Sequence, residues 1–379
     1  MRKNLFILLL AATWLGSCSS GHDRKSEVDE TDRDYIKYAS GFSVAFRDDG
    51  CKLVEIHQAH PGASGSISYL LVPKDKPVPT HNPDVKIIRI PLETIVCTST
   101  THIPLLEYLE VESSLVGFPS THYISSERTR ERIGRGLIQE LGVDKGMDLE
   151  RLAMLKPELV MAYSLTGDAG QFRKMEAMGI PVLLNAEYLE RHPLGRAEWI
   201  KFVALLYNRE TLADSIFNAI EKAYLTTKSL TETIQIHPTV ISGIVYGDTW
   251  FMPGGKNYAA QLLQDAGFHY YWSDNDSNGF LELSFESVFN RAYDTDYWIG
   301  VGSFTSLKEL ADADSRYTQF NAFKKGNVFT YDYRKGATGG SEFLELGYLR
   351  PDIILNDLVK IAFPDLLPDH ELYFHHQLN

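Results

Sequence analysis

Cysteine is scarce in this chain, with three in 379 residues. One lies at the extreme N-terminal side, at Cys18, which leaves Cys51 and Cys97. These two could pair in an oxidising compartment if their Cα atoms approach closely enough. Basic charge is also in deficit: 37 Lys and Arg face 50 Asp and Glu, a net charge of −13. That balance argues against a nucleic-acid partner, whose phosphates need Lys/Arg patches. The glycine-rich stretches "GIVYGDTWFMPGG" and "GATGGSEF" lack the Lys-Ser/Thr of a phosphate loop, and no Gly-x-Ser-x-Gly elbow is present. "GRG" at Gly134 follows no strand and is no dinucleotide fingerprint. A hydrolase would have to rest on scattered His, Asp and Ser residues. No His-rich loop is present either. His57/His60 and His375/His376 are close in sequence, but the first pair lies in the stretch before Lys86 and the second in the C-terminal tail, and only His102 and His122 could come together. We therefore expect no enzyme, no resident cofactor and no direct metal site.

What is present begins at the N-terminus. Arg2 and Lys3 precede an apolar run from Leu5 to Leu15, too short for a stable membrane span and shaped like a secretory signal over residues 1–17. "LGSC", ending at Cys18, resembles the lipobox of bacterial lipoproteins, in which that cysteine is lipidated. Residues 18–34 are polar and without apolar periodicity, as a solvated tether would be. These features predict a lipid-anchored protein of the bacterial cell envelope, periplasm-facing, with no second membrane segment.

Residues 35–85 read as a β-rich addition, with "FSVAFRD", "CKLVEIHQA" and "SISYLLVP" separated by turn residues and carrying no evident chemistry. From Lys86 to residue 208, short apolar strands alternate with amphipathic helices, and the rhythm returns from 235 to 379. The fold class is α/β, with two Rossmann-like lobes of mostly parallel sheet covered on both faces. Between them no Gly or Pro occurs after Gly195 until Pro238. The spacing predicts one long linking helix over 209–234, roughly 39 Å at about 1.5 Å per residue. Leu212, Ile216, Ala219, Ile220 and Ala223 would form its buried face.

One local pattern occurs twice. Asp148-Leu149-Glu150 and Ser284-Phe285-Glu286 each offer an N-cap residue followed by a carboxylate in the first helical turn. Helix-start chemistry alone accounts for either one. A pair on two related lobes also suits a symmetric, basic partner.

At this point the chain resembles a known family, the substrate-binding proteins of ATP-driven importers for iron–siderophores, haem and cobalamin. The resemblance rests on segments in order: "TIVCTSTTHIPLLEYLEVESSLVGF", "IGRGLIQELGVDKGMDLERLAMLKPELVMAYS", "PTVISGIVYGDTWFMPGGKNYAAQLLQDAGF", "ELSFESVF" and "FKKGNVFTYD". The β-rich addition lies outside that core, and "RAYDTDYWI" stands where the family commonly shows Asn-Pro-Asp. The resemblance implies a class III periplasmic-binding-protein fold, lobes that close only slightly, and a ligand that is a ferric siderophore, haem or cobalamin. It also implies a monomer whose Glu150 and Glu286 dock onto arginines of an ABC permease dimer. A lipid-anchored scavenger working without a permease is the alternative within the binding class.

Ligands of open α/β sheets bind beyond the carboxyl ends of the strands. Five loops then face the cleft: Thr98 to His102, Phe118 to Tyr123, Tyr163 to Asp168, Tyr246 to Gly255, and Asp332 to Ser341. Their candidate ligand residues are Phe118, His122, Tyr163, Tyr246, Trp250, Phe251, Tyr333 and Arg334, with His102 and Tyr123 nearby. Aromatics with a few polar groups suit a large, flat, partly apolar ligand. Trp250 and Phe251 stand out because they lie in a turn-rich segment whose periodicity does not require burial.

Overall fold

The computed structural model describes residues 35–143 and 146–379. The predicted signal segment, Cys18 and the predicted tether lie outside the described residues. Strands β1 (Phe42–Phe46) and β2 (Lys52–Ile56) form an antiparallel hairpin. Gly50, at φ +79°, supplies the left-handed backbone of its turn. β3 (Ile67–Pro73) pairs antiparallel with β2, and β4 (Lys86–Ile90) pairs parallel with β3. The boundary expected at Lys86 therefore falls inside this four-stranded sheet, because "KIIRI" pairs with β3 and not with the lobe sheet.

Period-two alternation gives the sheet an apolar face. Phe42 of that face packs on Trp199 and Phe202, with ring centroids 4.8 and 5.3 Å apart. The Lys52 ammonium is buried and donates to the Leu205 carbonyl and Asn208 Oδ1, at 3.1 and 2.7 Å, and it pairs with Glu210. Ahead of the sheet, buried Glu198 accepts the backbone N–H groups of Lys37, Tyr38 and Ala39, and buried Glu190 accepts those of Ser40 and Gly41. The addition is thus fastened to the first lobe by buried polar contacts as well as by apolar area.

The first lobe runs β5 (Ile95–Cys97), α1 (His102–Tyr108), β6 (Leu115–Phe118), α2 (Glu127–Gly134) and β7 (Gln139–Glu140). A small hairpin, β8 (Gly142–Val143) with β9 (Gly146–Met147), leads into α3 (Leu149–Leu155), β10 (Leu159–Ala162), α4 (Gly170–Ala177) and β11 (Val182–Leu184). The parallel sheet has the order β11-β10-β5-β6-β7. β5, β10 and β11 are buried at every position, as strands covered on both faces must be. Helix α5 (Pro193–Leu205) is buried along its whole length.

Linking helix α6 spans Glu210–Ser229, 20 residues and roughly 30 Å. It is shorter than predicted. Thr231 past its end donates its hydroxyl to the Lys228 and Asp265 carbonyls instead of extending the helix. Its buried stripe is Ala213, Phe217, Ile220, Tyr224 and Thr227, so of the predicted face only Ile220 is fully buried. Phe217 and Tyr224 carry the most buriable area and set which side turns inward.

The second lobe opens with β12 (Thr239–Ser242), β13 (Ile244–Tyr246) and β14 (Thr249–Pro253). At Gly243, φ is +79° and a Cβ would lie 1.9 Å from the Phe251 carbonyl oxygen, so only glycine fits. There the chain leaves the parallel sheet and folds back as a hairpin. α7 (Tyr258–Asp265), β15 (His269–Tyr270), β16 (Phe280–Leu283), α8 (Phe285–Ala292) and β17 (Tyr297–Ile299) follow. The order is completed by α9 (Leu307–Ala313), α10 (Asn321–Lys325), β18 (Val328–Thr330), α11 (Glu342–Leu346), α12 (Pro351–Ala362) and β19 (His376–Gln377). The lobe sheet is β15-β12-β17-β18-β19, with the tail strand β19 antiparallel at its edge, and β13-β14-β16 form a separate antiparallel ribbon. Buried Asp357 of α12 fixes the tail by accepting the N–H groups of Tyr373, Phe374 and His375 and by pairing with His370. Cys51 and Cys97 are separate buried free thiols in different core clusters, so no bridge joins them.

Candidate functional site

In both lobes the loops at the carboxyl ends of the parallel strands meet across the molecule. The backbone N–H groups of Ser125 and Ser126 donate to the two carboxylate oxygens of Glu345 on α11, at 2.7 and 2.9 Å. The Thr338 hydroxyl donates to the His122 carbonyl at 2.7 Å. A Cβ at Gly340 would lie 2.1 Å from the Tyr123 carbonyl oxygen, and one at Gly336 2.5 Å from the Ser125 Cα, so both glycines permit this approach. Two of the five predicted loops are therefore in direct contact between lobes. Burial raises the Glu345 carboxyl to about 7, with Glu107 adding to the rise, although the two N–H donors oppose it.

The candidate aromatics divide by strand alternation. Residues 249–253 form a strand, not a loop, and Trp250 faces inward with 0 % exposure. It stacks on Trp298 at 5.3 Å, meets Tyr317 and Phe320 edge-on, and donates Nε1–H to the Ser242 carbonyl. Trp250 is therefore core, which corrects its reading as a ligand contact. Phe118, 2 % exposed at the end of β6, is core as well. The neighbours of Trp250 on the other face are outside: Phe251 is 36 % exposed and Tyr246, at the hairpin tip, 81 %. Cross-strand from Pro253 stands Phe280 at 66 %, an aromatic that the sequence reading missed although "FLEL" is a short alternating run.

The other candidates have partners of their own. Tyr163 is half-buried and meets Tyr188 edge-on at 6.4 Å. Tyr333 stacks on His376 at 4.0 Å. Arg334 pairs with Glu342 at 2.9 Å and lies over the Tyr373 ring. His122 is exposed against Tyr123. His102 is not beside it: it is fully buried, neither ring nitrogen has a partner among the described residues, and burial lowers it to about 3, so it is neutral. Among the described residues no group of three or more His, Cys, Asp or Glu could hold a metal ion.

A cavity of about 360 Å³ opens at the end of β10. One wall is the predicted loop together with the start of α4, including Ser164, Gly167, Ala169 and Phe172. The opposite wall is the turn Ala59–Ile67 of the N-terminal sheet, with His60 in it. Sequence reasoning assigned "HPGASGS" only to turn formation, and no residue-type signal distinguished it from an ordinary linker.

The paired acidic helix starts exist as drawn. Asp148 caps α3 by accepting the Arg151 N–H at 2.9 Å, and Ser284 caps α8 by accepting the Ser287 N–H at 3.1 Å. Glu150 and Glu286 sit exposed in the first turns. They are not equivalent. Arg316 lies over the Phe285 ring and reaches the Glu286 carboxylate at 3.4 Å.

Comparison with known proteins agrees with this architecture. Residues 95–334 match the family model described as Periplasmic binding protein. An uncharacterized lipoprotein of Methanocaldococcus jannaschii is 24 % identical over 360 residues, covering 89 % of this chain and 84 % of that protein. The solved haem-binding protein HutB of Vibrio cholerae superimposes with a TM-score of 0.54 at 15 % identity, over 69 % of this chain and 99 % of that one. A possible iron-binding, periplasmic solute-binding protein from Staphylococcus epidermidis gives a TM-score of 0.55 at 15 % identity, over 72 % and 99 %. At such identity the superpositions speak for the fold. With the family model spanning most of both lobes, the chain belongs to the periplasmic binding protein family, whose members are solute binders and not enzymes.

Proposed function

We propose that the protein captures a metal chelate (a ferric siderophore, haem or a corrinoid) between its two lobes and hands it to an ABC permease dimer. The observation that carries this reading is the contact between strand-end loops of the two lobes, together with exposed Tyr123, Tyr246, Phe251 and Tyr333 on segments that follow strands of those lobes. Exposed aromatics around a cleft suit a flat, partly apolar ligand better than a bare ion. The solved neighbours described as haem-binding and iron-binding support the same ligand class. Glu150 and Glu286, exposed at matched helix starts, serve as the contacts for basic pockets of the permease. The lipoprotein relative supports anchoring to the envelope membrane, here through Cys18, and the anchored protein acts as a monomer.

The test is equilibrium binding of haemin, a ferric hydroxamate and aquacobalamin, each run beside its metal-free counterpart. Saturable one-to-one binding of a metal form is expected. Binding of none of them would remove the proposal.

A further inference from the structure

We infer that the cavity between the N-terminal sheet and the first lobe, which no residue of the second lobe lines, extends the ligand site, with His60 Nε2 occupying an open coordination position of the chelated metal. The inference rests on the chelate-binding reading above and names the group that would recognise the metal.

The geometry around His60 is that of a prepared ligand. Its Nδ1 lies 2.9 Å from the Pro61 carbonyl oxygen, which fixes the proton there and leaves the lone pair on Nε2. A metal-bound imidazole characteristically donates its other N–H in this way. Nε2 has no hydrogen-bond partner among the described residues. A Cβ at Gly167 would lie 2.6 Å from Cε1, 2.7 Å from Nε2 and 3.1 Å from Nδ1. Such nearly equal distances put the missing atom over the ring face, not in line with Nε2. Gly167 therefore lets the backbone press on the ring while the in-plane lone pair stays clear.

The surroundings suit a bulky chelate and not a bare ion. From Gly62 to Ser66 the turn carries no side chain longer than a hydroxymethyl, so the wall is flat. A Cβ at Gly62 or Gly65 would meet nothing within 4 Å, so these glycines serve the positive φ of the turn and face open space. Ile67, Phe172 and Leu184 supply an apolar floor. At about 360 Å³ the space falls within the range of ligand pockets, roughly 300–1,000 Å³. A single imidazole cannot hold a free cation, and no cluster of ligating residues stands beside it among the described residues. One imidazole is enough for a metal that arrives already chelated, because only one bond is required. Nε2 donates its electron pair to the metal, a bound water leaves or an empty position fills, and no proton is released, since Nδ1 keeps its own.

The experiment uses haemin and aquacobalamin as probes and metal-free protoporphyrin as control, with wild type, His60→Ala and His60→Gln. The visible absorption spectrum and affinity are read together. His60→Ala should bind the metal probe at least about tenfold more weakly, the smallest loss seen even for an outer partner of a metal ligand. Its spectrum should shift, and free imidazole should restore it. Metal-free protoporphyrin should bind wild type and variant alike. Gly167→Ala, which pushes on the ring, should reproduce the defect in part. Wild type that binds neither metal probe would overturn this inference, and the chelate reading would fall with it only if the ferric hydroxamate were not bound either. Wild type that binds, with an unchanged spectrum and affinity in both His60 variants, would overturn this inference alone. Equal loss of metal-free and metal-loaded porphyrin would overturn it too, by making His60 a packing wall.

Discussion

Glu345 offers the most quantitative test of the contact between the lobes. Its carboxyl is 3 % exposed and is raised from 4.5 to about 7, first by burial and then by Glu107, against the pull of the Ser125 and Ser126 N–H groups. At roughly 1.4 kcal/mol per pKa unit, this is about 3 kcal/mol. The sign comes from proton counting. Between the two values the folded protein holds a proton that the unfolded chain has lost, so this contribution is complete below about 4.5 and is lost as pH rises through about 7. His102 acts oppositely. Burial lowers it from 6.5 to about 3, so its contribution is present above 6.5 and is lost as pH falls through the range below. The wild-type profile mixes both, whereas the difference from Glu345→Gln isolates the carboxyl, because an amide does not titrate and still presents an acceptor. Urea unfolding of both proteins at about pH 5 and about pH 8.5 should show the variant gaining on wild type by ~3 kcal/mol toward the alkaline side. A difference that is flat with pH, or that slopes the other way, would refute the argument.

Three further outcomes rest on named contacts. Trp250→Ala should cost about 3–5 kcal/mol of stability, while Tyr246→Ala should change stability by no more than about 0.5 kcal/mol and weaken chelate binding several-fold; thermal melting and titration separate the two. Asp357→Ala strands three backbone N–H groups, so stability should fall by roughly 3 kcal/mol and hydrogen exchange should rise across residues 370–377, with unchanged exchange there counting against the tail anchor. The double replacement Glu150→Gln and Glu286→Gln should keep chelate affinity but lower ATP hydrolysis by the reconstituted importer, and retained stimulation with reduced melting temperature would leave the carboxylates as helix-start residues only.

Much of the scaffold was legible because its signals are strong and local. The buried parallel strands are continuous apolar runs, and the N-caps Asp148 and Ser284 are the residues that cap. Side-chain direction at the site was less legible. Trp250 and Phe251 differ by one position, and the period of two sends one into the core and the other outward once β14 pairs between β13 and β16. That pairing depends on Gly243 turning the chain, a feature with no periodicity of its own. The boundary at Lys86 failed for a similar reason, since a five-residue apolar strand does not announce which sheet it joins. The cavity wall at Ala59–Ile67 was beyond reach of local reasoning, because it depends on how the added sheet lies against α5 and β11, where the Tyr69 hydroxyl meets the Leu184 N–H at 3.2 Å.

The central claim is that ligand sits between the lobes, and hydrogen exchange with and without the best-bound chelate tests it most directly. Protection is expected in peptides from both lobes at once, covering residues 119–126, 163–172, 244–251 and 332–342, together with the turn at 59–67. Protection confined to one lobe, or lying away from these loops altogether, would contradict it.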